Sequence, residues 1–211
     1  MNINANHFKH LFCSLDNNRG KALSAEEQKI IESINWDTRI ASLWGIYQRG
    51  EYLFEDIYLT TYGYRTILLS QQCGGVFRFD NEKYELKIEG KQIKLVEVKQ
   101  PNNESVIYEN GTFYPTKGDW LMQSCQKRSG NGKYKCFTIY ANRGLEEIII
   151  PDHQIQALFK YEVKALTAIG ENSQNCIKHK NGNKCDNRSK NLKIGTTKEN
   201  KLHYHRELKG K

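Results

Sequence analysis

Proline is scarce in this chain, three in 211 residues, and no stretch is of low complexity or repeats itself, so the sequence offers no obvious linker. No segment approaches eighteen uninterrupted apolar residues, and Met1 to Leu15 has no charged start followed by a long apolar run. Those absences predict a soluble, unexported, cytoplasmic protein with no membrane partner. Six cysteines, at 13, 73, 125, 136, 176 and 185, include no C-x-x-C pair. Their irregular spacing in an unexported chain predicts free thiols, and Cys125 and Cys136 lack the second pair that a structural zinc would need.

What is present is aromatic bulk and unevenly placed charge. Eight Phe, twelve Tyr and three Trp supply large apolar bodies for a core, despite a mean hydropathy of -0.74. The net charge is +8, and Lys160 to Lys211 alone hold thirteen Lys and Arg against five Asp and Glu. The local excess therefore equals that of the whole chain, and the first 159 residues are close to neutral. Such a block is either a solvated, solubilising face or a surface that displaces counterions from phosphates.

Ser24-Ala25-Glu26-Glu27 forms a capping-box start before Ile30, Ile31 and Ile34, which predicts a helix. A second helix is expected after Asp37, with Ile40, Leu43, Trp44 and Tyr47 on one face. That face suits a core, and Leu43 to Tyr47 would alternatively supply part of a homodimer interface. From Gly75 the pattern changes to short alternating runs at 76–79, 84–88 and 93–98, with turns at Glu89-Gly90-Lys91-Gln92 and Asn110-Gly111. A strand pair is expected over Lys133 to Tyr140 and Leu145 to Ile150, then a helix after Pro151 carrying Ile155, Leu158 and Phe159.

The segment from Cys176 to Tyr204 reads as a strand ending near His179, a polar loop turned at Asn181-Gly182, a return strand through Leu192 to Ile194, and a helix capped by Thr196 or Thr197. Within it His179 is followed in order by Gly182, Asn187, Asn191-Leu192, Gly195-Thr196 and Asn200. This ordered run resembles the HNH endonucleases, especially the subgroup of phage homing enzymes and related bacterial restriction-type nucleases. Upstream, Lys133 to Ile150 and Asp152 to Leu158 look like the hairpin and helix start that precede the site in that family, so the resemblance spans residues 110 to 205.

The amino-terminal patterning and the resemblance together predict an α+β fold: amino-terminal helices, a central antiparallel sheet and a carboxy-terminal ββα-metal module. They divide the chain into a recognition and dimerisation region, 1–109, which the resemblance does not cover, and a nuclease region, 110–211. The resemblance further implies a bacterial or phage-encoded enzyme that hydrolyses double-stranded DNA at chosen sequences, and the unmatched amino-terminal half slightly favours restriction over homing. His179 would be the general base, Asn191 would hold it in place, and Asn200 and His203 would be ligands for a divalent cation, Mg²⁺ or else Mn²⁺. Lys178, Lys180, Lys184, Arg188 and Lys190 would meet phosphates, and His153 would either do so or cap and pack at the start of its helix.

These roles make chemical sense. Phosphodiester hydrolysis needs an activated water and positive charge at the phosphate, and a histidine titrating near neutral pH can hold the free base form and still accept a proton. A side-chain amide can tie loop groups, and an amide oxygen suits a hard cation.

One position departs from the pattern. The residue before the base is often a metal ligand in that family, and here it is Lys178, whose protonated amine cannot ligate a cation. The site would then hold metal weakly, recruit Asp186, or let the lysine contact phosphate. Lys178 also motivates an alternative from another class, a DNA-binding protein that keeps the scaffold without cutting. An RNA-binding tail ranks below both, because the basic block carries only Tyr161 and Tyr204 for stacking.

Overall fold

The structure, a computed structural model, describes residues 23–63, 65–114, 122–123, 125–129, 132–141, 146–170 and 173–202, with backbone only for those within 122–133 and for 141. Helix α1 (Ala25–Ser33) starts on the expected box: the Ser24 hydroxyl accepts the Glu27 amide at 3.2 Å, and the Glu27 carboxylate accepts the Ser24 amide at 2.8 Å. Helix α2 (Thr38–Gln48) is capped by Asp37, whose carboxylate accepts the Ile40 amide at 2.7 Å. Leu43, Trp44 and Tyr47 are buried within this chain's own core, so the stretch is not free to form a dimer face.

Three strands that the sequence pattern did not announce follow α2: β1 (Glu51–Phe54), β2 (Ile57–Tyr62) and β3 (Arg65–Ser70). They join β4 (Val76–Asp80) and β9 (Met122–Gln123) in an antiparallel sheet of order β1-β2-β3-β4-β9. The reason β3 escaped a period-two reading lies in its burial. Ile67 and Leu69 enter one core while Leu68 enters another, so both faces are apolar and alternation disappears.

The second core lies against strands β5 (Tyr84–Glu89), β6 (Gln92–Glu97), β7 (Gln100–Glu109) and β8 (Thr112–Phe113), a four-stranded sheet that contributes Ile93, Leu95, Ile107 and Tyr108. Asn110 and Gly111 turn β7 into β8 with φ of 49° and 83°, the left-handed pair that a two-residue hairpin demands. The other face of that sheet is solvated, and Lys94 bridges Glu89 and Glu104 there at 2.9 Å each.

The first core joins α1, α2 and β3 to a meander of β10 (Cys125–Ser129), β11 (Gly132–Ala141) and β12 (Glu146–Pro151), and to α3 (Asp152–Tyr161). A 3-10 helix (Glu162–Ala168) leads to the hairpin of β13 (Asn175–His179) and β14 (Leu192–Thr196), paired from Asn175↔Thr196 to His179↔Leu192. A last helix covers residues 197–202, and Thr196 and Glu199 form its capping box at 3.1 and 3.2 Å. The chain is therefore α+β with antiparallel sheets, and no helix among the described residues is long and apolar enough to cross a membrane.

Candidate functional site

Side chains of β13 alternate between two environments. Ile177 joins the first core on the α3 side, while Cys176 lies on the other face, toward helix 197–202. His179 closes the strand on the α3 side, its ring edge-on to His153 at 5.4 Å and 6.3 Å from the ring of Tyr134. Tyr134 in turn lies 4.8 Å from His153 and carries the Lys184 ammonium 5.3 Å over its face.

The loop between β13 and β14 is held from within. The Lys180 amide donates to the Asn191 carbonyl at 2.8 Å. The Asn191 side chain accepts the Asn181 amide at 3.0 Å and donates to Asn181 Oδ1 at 3.0 Å and to the Asp186 carbonyl at 2.7 Å. Both hydrogens and the oxygen of this amide are thus used, a reason for its burial. Asn181 and Asn183 each cap an amide two residues on, at 3.0 Å, as polar turn residues do.

The group that touches the histidine is a different one. Asn187, 1 % exposed, places Oδ1 2.9 Å from His179 Nε2. With an amide oxygen as partner, Nε2 carries the proton and Nδ1 keeps its lone pair. Asn191 therefore fixes the loop, and the loop presents Asn187 to the ring. The sequence places Asn187 in the ordered run but assigns it no role, and that place was the signal for it.

Burial lowers the pKa of His179 below the ordinary histidine value, against the Asn187 hydrogen bond and the Asp186 charge, which raise it. Neutral imidazole is therefore its resting form at pH 7. Burial acts more strongly on His153, with the charges of His179 and Arg39 in the same direction, and holds it at about 3. His153 is packed as a neutral ring beneath the site, with no partner for Nδ1 among the described residues, in keeping with the packing alternative and not with a phosphate contact.

The loop is also held by the amino-terminal half of the chain. The Ser189 amide donates to the Gln71 carbonyl at 2.9 Å, and Gln71 Nε2 donates to Gln156 Oε1 at 2.7 Å. Gln156, fully buried on α3, returns hydrogen bonds to the carbonyls of Ser70 and Gly75 at 3.2 and 3.0 Å. Gly74, at φ 72°, lies flat on the Asn187–Arg188 peptide: a Cβ there would run into the Arg188 nitrogen and the Asn187 carbonyl carbon. From the other side Lys160 donates to the carbonyls of Ser189 and Leu192 at 2.5 and 3.1 Å.

The expected phosphate contacts divide by burial. Lys180, Lys184 and Lys190 are exposed, although Lys180 Nζ also reaches the Lys190 carbonyl at 2.8 Å. Arg188 forms a two-pronged pair with Asp186 at 2.7 and 2.6 Å, which pulls the Asp186 carboxyl down to about 2. Lys178 is 7 % exposed.

Of the expected cation ligands, His203 lies outside the described residues. Asn200 is exposed on helix 197–202, and its side chain has no hydrogen-bond partner among the described residues. Beside it, Glu199 Oε2 accepts the Thr196 amide at 3.2 Å and lies 3.9 Å from the Lys178 ammonium. Asp186 is committed to Arg188, and no three His, Cys, Asp or Glu converge among the described residues. Among the described residues Asn200 is the one expected ligand of a divalent cation, and the Lys178 ammonium faces the same helix. No family model, curated protein or solved structure matches this chain.

Proposed function

We propose that this chain is a DNA endonuclease in which His179 Nδ1 takes the proton of the attacking water. The observation that carries this reading is the state of His179: recessed at a strand end, kept neutral by burial, and fixed through Nε2 by the buried Asn187. A base held in one orientation with a free lone pair at neutral pH is what proton abstraction from water requires. The surrounding strand, loop, strand and helix follow the order of the ββα nucleases that the sequence resembles. Lys180, Lys184 and Lys190 on the exposed rim would steer and register a duplex without reading its sequence.

The test is incubation of the purified protein with a long DNA of varied sequence, such as a whole phage genome, beside His179→Ala, with Mg²⁺, Mn²⁺ or EDTA. Discrete fragments from the wild type that vanish in the variant, with both proteins retarding DNA in a salt-sensitive way, support the reading. Lys178 favours a second one, a scaffold that binds DNA without cutting. Retardation by both proteins with fragments from neither, under all three conditions, would establish that instead.

A further inference from the structure

We propose that the β10–β11 hairpin is a two-stranded ribbon that lies in the major groove of duplex DNA beside the cut and reads its sequence; the inference rests on the nuclease reading above. Strand β10 pairs with β11 from Ser129↔Gly132 to Cys125↔Cys136, whereas β12 pairs with β11 only from Cys136↔Pro151 to Ala141↔Glu146. Cys136 alone belongs to both ladders, so the hairpin runs on past the end of β12 as two strands without a third. Two strands by themselves are marginally stable in water, and among residues 126–135 only Tyr134 is a large apolar body. The ribbon is therefore not there to build a core.

Its charge points to the partner. From Trp120 to Leu145 the chain has five Lys and Arg and no Asp or Glu, and four of the five, Lys127, Arg128, Lys133 and Lys135, lie on these two strands. Residues 1–159 hold nineteen charges of each sign, so outside this segment fourteen cations stand against nineteen anions. The near-neutral average conceals a second basic block in an acidic surround. The fold brings it to the first: the Lys184 ammonium of the carboxy-terminal block stands 5.3 Å over the Tyr134 ring of the hairpin. Two basic segments joined at the candidate base suit a polyanion that extends across both.

Register gives the two faces of the ribbon different surroundings. Lys127 is the partner of Tyr134 and shares its face, and the Tyr134 ring lies 4.8 Å from His153 and 6.3 Å from His179. Gln126 with Lys135, and Arg128 with Lys133, fall on the opposite face, where Lys135 is exposed. Arg and Lys suit the major-groove edge of guanine, and Gln that of adenine. That groove, about 12 Å wide, admits a two-stranded ribbon, and it is about 8.5 Å deep. When the outer face of the ribbon meets the base edges, the phosphates of the rim stand near the level of the inner face, where Tyr134 adjoins His179. At about 3.3 Å per residue, the Arg128–Lys133 pair lies within roughly 15 Å of the His179 ring, or about four base pairs at 3.4 Å each.

The experiment uses the full chain carrying His179→Ala, which keeps the ribbon and lacks the base, to select sequences from a random duplex library, while the cuts of the wild type are mapped on a phage genome. Selection is expected to return one common sequence that includes guanines within about four base pairs of the mapped cuts, and methylation of their N7 is expected to block binding. In the same background, Arg128→Ala and Lys133→Ala should each bind that sequence roughly 10–100-fold more weakly, with affinity for unrelated DNA within about threefold and thermal melts unchanged. Lys87→Ala, on β5 of the other sheet, should bind as its parent does. Selection without a common sequence, a common sequence wholly outside that distance, N7 methylation without effect, or ribbon variants that bind as tightly as their parent would each overturn the role of the ribbon and leave the nuclease standing. A wild type that cuts nowhere removes the nuclease reading, and selection, methylation and the variants then decide whether the ribbon reads DNA on a scaffold that only binds.

Discussion

Replacing Gly74 by alanine tests whether the amino-terminal sheet controls the candidate base. At φ 72° a Cβ is disfavoured by roughly 1–2 kcal/mol on backbone grounds alone. Here it also meets the Arg188 nitrogen and the Asn187 carbonyl carbon, and stands 2.9 Å from the Asn187 carbonyl oxygen. These are backbone atoms that cannot swing aside, and forcing them costs about 1–3 kcal/mol more. The sum, about 2–5 kcal/mol, corresponds to a fall in Tm of roughly 5–15 °C for a chain of this size. Because Asn187 carries the hydrogen bond to His179, a displacement approaching 1 Å should lower cleavage about 100-fold. The control is Gly90→Ala, which has a similar φ of 58° with nothing within 4 Å of its Cβ and so carries the backbone cost only. The assay pairs thermal melts with single-turnover cleavage and the ring resonances of His179 by NMR. A Gly74→Ala protein that melts like Gly90→Ala and keeps the His179 resonances of the wild type would refute the coupling, whatever its activity.

Asn187→Leu removes the acceptor at His179 Nε2 and with it an influence that raises the His179 pKa, so an NMR titration should find that pKa lower still, while cleavage falls roughly 10–100-fold. His153 is held near 3 in the folded protein against an ordinary 6.5, so its contribution to stability is complete above pH 6.5 and is lost as pH falls toward 3. The loss should total on the order of 5 kcal/mol, and in urea melts at successive pH values His153→Phe should flatten the decline between pH 6.5 and 4; an unchanged slope would show that His153 does not carry it. Gln156→Leu removes three side-chain hydrogen bonds, although the Gln71 amide keeps the Gln156 carbonyl and the carbonyls of Ser70 and Gly75 keep the amides of Gly74 and Ser70, and it should cost about 1–3 kcal/mol in denaturant unfolding with the m-value unchanged.

Local chemistry was legible in the sequence wherever one residue's environment is its neighbours. The Ser24 and Asp37 caps, the Asn110-Gly111 turn and Asn191 as the tie of the loop depend on partners within ten residues, and the strand, loop, strand and helix from Asn175 onward on partners within 21. Hydrogen bonds and turn dihedrals at that range are fixed by spacing alone. Only the tertiary structure decided the rest. Strand β3 lost its alternation because two cores press on it, and the Leu43–Tyr47 face is covered by other parts of the same chain. His153 was drawn inside and neutralised, Asn187 proved to be the group on the candidate base, and Gly74, 113 residues earlier, presses on its peptide. Each of these depends on which distant surface closes over the residue, and burial, which sets both pKa and hydrogen-bond need, is a property of the packed chain that spacing along it does not encode.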